Sequence, residues 1–257
     1  LFAIIFSVIL KSEREPFEST YVPLQAENIL IKNASVYDGD GNEYTNTDIL
    51  VQEGRIVAIG KDLPVTDDFK IIDATDKWVT PGIIDIHSHM GVYPAPGVST
   101  SSDGNEATSP VTADVWAEHS IWVQDPQYAL ALTGGVTSFH ILPGSANLIG
   151  GRGVTVKNLQ RNTINSMKFP DAPHSLKMAC GENPKRVYGN RGQAPSTRMG
   201  NAAGYRKSWI QAEGYLRKLV EYEEKSDEAK ELEYAPRRDL EMETLAGVLK
   251  GEILVHN

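Results

Sequence analysis

His87 and His89 stand one residue apart at the end of the apolar run Ile83-Ile84-Asp85-Ile86. That run is β-branched and suits a strand buried on both faces. On a strand, alternate side chains share a face, so both imidazoles leave the carboxyl end pointing the same way. Two neutral imidazoles so placed make half of a divalent metal site, with Zn²⁺ the first candidate occupant. A bare His-x-His is as readily a surface turn. Here Pro81-Gly82 begins the strand sharply and Gly91 opens the loop after it, which favours the strand end.

The elements that must position such a pair can be read on either side of it. Residues 28–80 alternate apolar with polar in "NILIKNASVYD" and "TDILVQEGRIVAIG", separated by the turn-rich "GDGNEYTN". The Gly of "QEGR" at 52–55 fits a tight hairpin, and "KIIDATDKWVT" supplies another strand. This region predicts a small half-buried sheet that serves as scaffold. After the His-x-His strand, a Ser/Gly/Pro-rich loop (92–112) is long enough to face a substrate. A helix is expected over 113–133, then strands at 135–142, 150–158 and 175–179, the last followed by a loop "CGENPKRVYG". Tyr205, Trp209, Ala212, Leu216 and Leu219 recur at helical spacing as one apolar stripe. Ser196 or Asn201 is the candidate cap of that helix. The charged run 221–239 reads as a solvated face, followed by a second helix at about 239–250 and a fifth strand in "EILVHN".

"WVTPGIIDIHSHMG", with "ILIKNASVYDG" and "DILVQEGRIVAIG" before it, resembles the amino-terminal part of the amidohydrolase superfamily of metal-dependent hydrolases, in its imidazolonepropionase- and prolidase-like members. The resemblance covers roughly 28–257 and is densest at 28–91 and 135–184. It implies an α/β fold: a distorted (β/α)8 barrel, of which about the first five strands are represented, with its metal site at the carboxyl ends of the strands. It also implies a small β-sandwich built from flanking segments. The expected organisation is a leader and linker at 1–27, the β-sandwich part at 28–80 and the amino-terminal half of the barrel at 81–257.

The same resemblance implies the rest of the site. Lys177, on the fourth strand in "LKMACGENP", matches the lysine that one branch of the superfamily carboxylates with CO₂ to bridge two metal ions. Nearby cations stabilise such a carbamate, and an unpaired buried ammonium is costly, so a lysine in an apolar strand needs a partner. Glu182 is the competing bridge, since other branches place a glutamate there. His256 ends the fifth strand, where the superfamily has its next metal-binding histidine. His140 on the second strand and Arg152 near "GGRG" are candidates for substrate, Arg152 through its planar fork to a carboxylate. A core histidine and a surface ion pair are the plainer readings of these two. His119 and His174 have no ligand-like neighbours.

The implied activity is hydrolysis of a C–N bond in an amide, dipeptide or cyclic amide by a metal-activated water, using one or two divalent ions, with zinc foremost. The family's general base is an aspartate after an eighth strand, expected beyond Asn257, so no catalytic base is assigned in this chain. A mononuclear deaminase or imidazolone-type ring hydrolase is the alternative, as is a non-catalytic metal-binding relative. Residues 81–257 are too few for a complete barrel, which takes roughly 250 and seldom fewer than 200, so the chain is expected to be truncated and inactive alone.

Composition sets limits on partners. The chain has 257 residues, 40% hydrophobic and 23% charged, as a globular protein has. A formal charge of −9 argues against nucleic acid or an anionic membrane surface as partner; the resemblance implies a small-molecule substrate, with homo-oligomerisation left open. The single Cys180 cannot form an internal disulfide and reads as a small buried hydrophobe. Residues 1–10 are apolar apart from Ser7, too short to span a bilayer at roughly 20 residues but the length of a signal-peptide core. They predict export or membrane anchoring, with the cytoplasm as the alternative.

Overall fold

The computed structural model describes residues 17–257, which form two units. One comprises 22–83; the other joins the segment 17–21 to 84–257. The apolar run 1–10 lies outside the described residues.

The smaller unit is a five-stranded sheet of β1 (Ile29–Tyr37), β2 (Glu43–Gln52), β3 (Arg55–Gly60), β4 (Lys70–Asp73) and β5 (Trp78–Val79), ordered β3-β2-β1-β4 with β5 also paired to β1. Glu53 (φ 50°) and Gly54 (φ 75°) make the two-residue turn between β2 and β3. Positive φ at both positions matches the right-handed twist of the strands it joins. Leu30, Ala34, Val36, Ile49 and Ala74 are the buried apolar face of this sheet. Buried Asp48 accepts hydrogen bonds from the Asn33 and Leu63 amides, pinning the irregularity in β1 and the segment after β3 to β2.

The larger unit is built on β6 (Ile83–Ser88), β7 (Val136–Ile141), β8 (Ile149–Lys157), β9 (Ser175–Met178) and β10 (Leu254–His256), ordered β10-β9-β8-β7-β6. Its helices are α1 (Gln127–Thr133), α2 (Glu182–Gly189), α3 (Arg198–Glu223), α4 (Asp227–Glu231) and α5 (Leu240–Leu249). Phe139, Ile141, Val154 and Val156 pack with Val92, Tyr128 and Met167 in one core. Ile149, Leu176 and Met178 pack with Ala212 and Leu245 from α3 and α5 in another. Each fully buried side chain of this size contributes roughly 1.5–3 kcal/mol. Among the described residues, no helix is long and apolar enough to cross a membrane.

The structure departs from the expected succession of parallel strands at β8, which runs antiparallel to both β7 and β9, whereas β9 and β10 are parallel. The cause is connection length. A parallel crossover needs a dozen or more residues, and the segment from Leu142 to Leu148 is too short to supply them. The helix expected over 113–133 reduces to a 3₁₀ turn (Ala117–His119) and α1. The stretch before it lies extended along β8, with Arg152 N donating to Val115 O at 2.8 Å. Gly151 permits this approach, since a Cβ there would collide with the Val115 carbonyl.

Other differences are local. "CGENPKRVYG" folds as α2 rather than a loop: Pro184 falls in the first turn, where its missing N–H costs nothing. The long helix is capped by Thr197, whose hydroxyl accepts from Gly200 N, not by Ser196 or Asn201. Asn201 instead donates to the carbonyls of Cys180 and Gly181, tying α3 to the end of β9. Residues 17–21, expected to be linker, are tied to the larger unit through Lys168 Nζ to Phe17 O (2.7 Å) and Ser19 Oγ to Lys168 O (2.8 Å). Cys180 is exposed rather than buried.

Candidate metal centre

Three strands of the larger unit deliver imidazoles and an amine to one place. His87 lies near the end of β6, with its Nδ1 3.2 Å from Nε2 of His256 on β10 and the two rings nearly perpendicular. His89, just beyond β6, meets His87 edge-on, with ring centroids 5.3 Å apart. Its Nδ1 lies 2.8 Å from the Leu142 carbonyl oxygen. A carbonyl only accepts, so Nδ1 carries the hydrogen and Nε2 keeps a free lone pair. Lys177 on β9 stands directly opposite His256 in the parallel register. Only 3% exposed, it donates from Nζ to Met178 O at 2.9 Å.

The electrostatics suit ligation. Burial, followed by the nearby Lys177 charge, pushes the pKa of both His87 and His256 below the usual histidine range, so both are held neutral. Burial likewise weakens the hold of Lys177 on its proton. Two nitrogen ligands on one tetrahedral ion sit about 3.3 Å apart, given bonds of about 2.05 Å, close to the 3.2 Å between His87 and His256. Among the described residues, no three His, Cys, Asp or Glu side chains converge into a metal shell by themselves. His87 and His256 are the pair whose separation is compatible with two nitrogens on one ion, with His89 and Lys177 alongside.

The remaining sequence candidates stand elsewhere. Glu182 is in the first turn of α2, exposed, with its carboxylate 2.7 Å from Arg186 Nε. Pro184 and the i,i+4 ion pair favour helix here, which turned the supposed loop ligand into a surface group. Arg152 is on β8 itself, 3% exposed, with Nε donating to Thr244 and its guanidinium 4.2 Å above the Trp116 ring. A guanidinium packed in this way braces β8 against α5, which carries Thr244.

His140 on β7 has both ring nitrogens occupied, Nδ1 by Thr155 Oγ1 (2.9 Å) and Nε2 by Ser175 Oγ (2.6 Å). Its ring stacks 6.0 Å from that of His256, so it forms a floor beneath the cluster. Burial above all, then the neighbouring His256, His174 and His87, drives its pKa from 6.5 to about 4. The unfolded chain takes up a proton near pH 6.5 that the folded chain refuses until about pH 4. This contribution to stability is whole above pH 6.5 and is lost as the pH falls through that window. Thermal melts should therefore show a steeper acid decline for the wild type than for His140→Gln. Parallel slopes would contradict the assignment.

Sequence reasoning missed Asp125. Its buried carboxylate accepts from the amides of Gly91, Ala95 and Gln127. It thereby fixes the loop that follows His89, where Gly91 adopts φ 75° against Ile121 and Tyr128. The Asp-Pro dipeptide at the start of α1 was the available signal, since aspartate before a helix seeks backbone N–H groups.

No protein-family profile matches the chain. Amidohydrolase tasK of Hapsidospora irregularis is 34% identical to it, over 88% of this chain and 26% of that protein. A dihydroorotase of Thermoanaerobacter sp. (strain X514) is 42% identical over 32% of this chain and 18% of its own. Among solved structures, an amidohydrolase from Thermotoga maritima aligns with a TM-score of 0.77 at 40% identity, covering 88% of this chain and 56% of that one. The chain thus spans about a quarter of tasK and little more than half of the Thermotoga chain.

Proposed function

The chain belongs to the amidohydrolase superfamily, and from that premise we propose that the whole protein hydrolyses a C–N bond of a small amide, dipeptide or cyclic amide with the help of divalent metal. The observation that carries this is the meeting of His87 and His256 across 3.2 Å, with Lys177 paired in register to His256. The unit at 22–83 is proposed to be part of the small β-sandwich that accompanies the barrel. Export or membrane anchoring, from the apolar run 1–10, is a separate proposal that cell fractionation tests.

Bound at the cluster, a divalent ion would supply a water of lowered pKa and polarise the substrate carbonyl. His87 and His256 present nitrogens to it in their neutral form. His89 is held in one tautomer by the Leu142 carbonyl, the kind of outer contact that orients a metal-binding histidine. Lys177, rather than Glu182, is the proposed bridge. Its amine is buried beside the imidazoles, where burial lowers its pKa, while Glu182 is exposed and paired with Arg186. Once the ammonium has given up its proton, the neutral amine adds to CO₂, forming an N–C bond and releasing a second proton, and the resulting anionic side chain would suit a metal pair.

The test is turnover by the intact, zinc-loaded protein across dipeptides, N-acyl amino acids and cyclic imides. Hydrolysis that a chelator abolishes and zinc restores is expected. Hydrolysis indifferent to chelation, or none across the panel, would contradict the proposal.

A further inference from the structure

The loop after His89 holds a phenol whose surroundings are built for it. Tyr93 N donates to His89 O, and the Tyr93 ring sits edge-on to that of His89, with centroids 5.7 Å apart. Gln127, itself held by Asp125, donates to the Tyr93 carbonyl. Two glycines clear the space the side chain fills. A Cβ at Gly104 would run into the Tyr93 ring, and one at Gly144 would lie 2.6 Å from its hydroxyl. Gly144 N donates to Gly104 O at 2.7 Å, so the two loops that meet here lock to each other. Tyr93 is nonetheless 39% exposed, open to a ligand on one side.

The hydrogen bonds fix the direction in which this phenol donates. Ala146 N–H can only donate, and it meets Asn105 Oδ1 at 2.7 Å. Asn105 Nδ2 therefore faces Tyr93 and donates to the phenol oxygen at 2.6 Å. Its second hydrogen goes to Gly104 O. The phenol oxygen is thus an acceptor within the protein, and its own hydrogen has no acceptor among the described residues. A rigid phenol beside a candidate ligand histidine, its O–H spent on no acceptor among the described residues, is an arrangement that can stabilise charge developing on a substrate oxygen.

We propose that Tyr93 is a catalytic residue that donates a hydrogen bond to the carbonyl oxygen of the substrate as that oxygen gains negative charge, and that Asn105, Gly104 and Gly144 hold it in place for this. The proposal rests on the metal-hydrolase reading above for its substrate and adds a protein donor that the metal ligands do not supply.

Methylphosphonate, an anionic tetrahedral mimic of the hydrated carbonyl, tests this without knowledge of the substrate. Its affinity for the intact protein is measured by calorimetry in wild type, Tyr93→Phe and Gly104→Ala, with zinc content determined in parallel. Tyr93→Phe removes only the hydroxyl and should weaken binding at least about tenfold, the size of one hydrogen bond to a charged group, with zinc content unchanged. Gly104→Ala, which displaces the ring, should weaken it similarly. On a turned-over substrate, Tyr93→Phe should lower kcat by about 10²–10³-fold while KM changes little. Equal affinity in wild type and Tyr93→Phe, or no binding by the wild type, overturns the proposal. Absence of zinc from every protein would sink the metal reading instead, and the contrast between wild type and Tyr93→Phe would still decide the role of Tyr93.

Discussion

Replacing His87 and His89 together by alanine in the intact protein is expected to abolish both zinc uptake and hydrolysis while leaving the fold unchanged. The neutral imidazole of His87 lies 3.2 Å from that of His256, and its loss leaves His256 without the nitrogen it faces. Loss of even an outer-shell partner typically costs 10–100-fold in metal affinity, so loss of two candidate ligands should exceed about a hundredfold. Without an ion, a reacting water keeps a pKa of about 15.7 instead of about 7, so turnover should fall below detection. Neither side chain is buried in a core, so the melting temperature without metal should stay near that of the wild type. Stoichiometric zinc in the double variant would refute the assignment.

Lys177→Ala should have the next largest effect, and its form is diagnostic. If the amine carries CO₂, the variant loses one metal ion and more than about a hundredfold in activity, and short carboxylic acids restore part of both by standing in for the carbamate. Glu182→Gln should change activity little, because it removes only an exposed i,i+4 pair worth about 0.3–0.5 kcal/mol. If the two variants rank the other way, and acids fail to rescue Lys177→Ala, the bridge is not Lys177. Native mass measurement adds an independent check, since a carbamate adds one CO₂ that acid releases.

Part of this arrangement is legible in the sequence. The His-x-His pair at a strand end and the alternation in 28–60 are local signals, and local signals survive in sequence. The hairpin at Glu53-Gly54 was legible for the same reason. The pairing of Lys177 with His256 was only inferable by resemblance, because strand register between distant segments is set by packing that no spacing encodes. The direction of β8 could have been found from the shortness of its connection to β7. The three glycines of "GGRG" also marked a close backbone approach, since glycine within a strand often does so. Glu182, five residues after Lys177, reads from sequence as a neighbouring ligand on a loop, whereas it stands exposed in the first turn of α2, paired with Arg186. Arg152 differs in the opposite way: a guanidinium among glycines reads as a ligand clamp, whereas it is buried against Trp116 and Thr244. Tyr93 gave no sequence signal, since its role depends on glycines at 104 and 144 that meet it only in the folded chain.

The most direct test of the metal centre is the metal content of the intact protein purified without chelator, measured by mass spectrometry of the digested sample against protein concentration. Two divalent ions per chain, falling to one or none in Lys177→Ala, are predicted. One ion per chain would leave Lys177 with a structural role. A protein that carries no ion and takes up none from excess zinc would contradict the assignment of His87, His89, Lys177 and His256 as a metal centre.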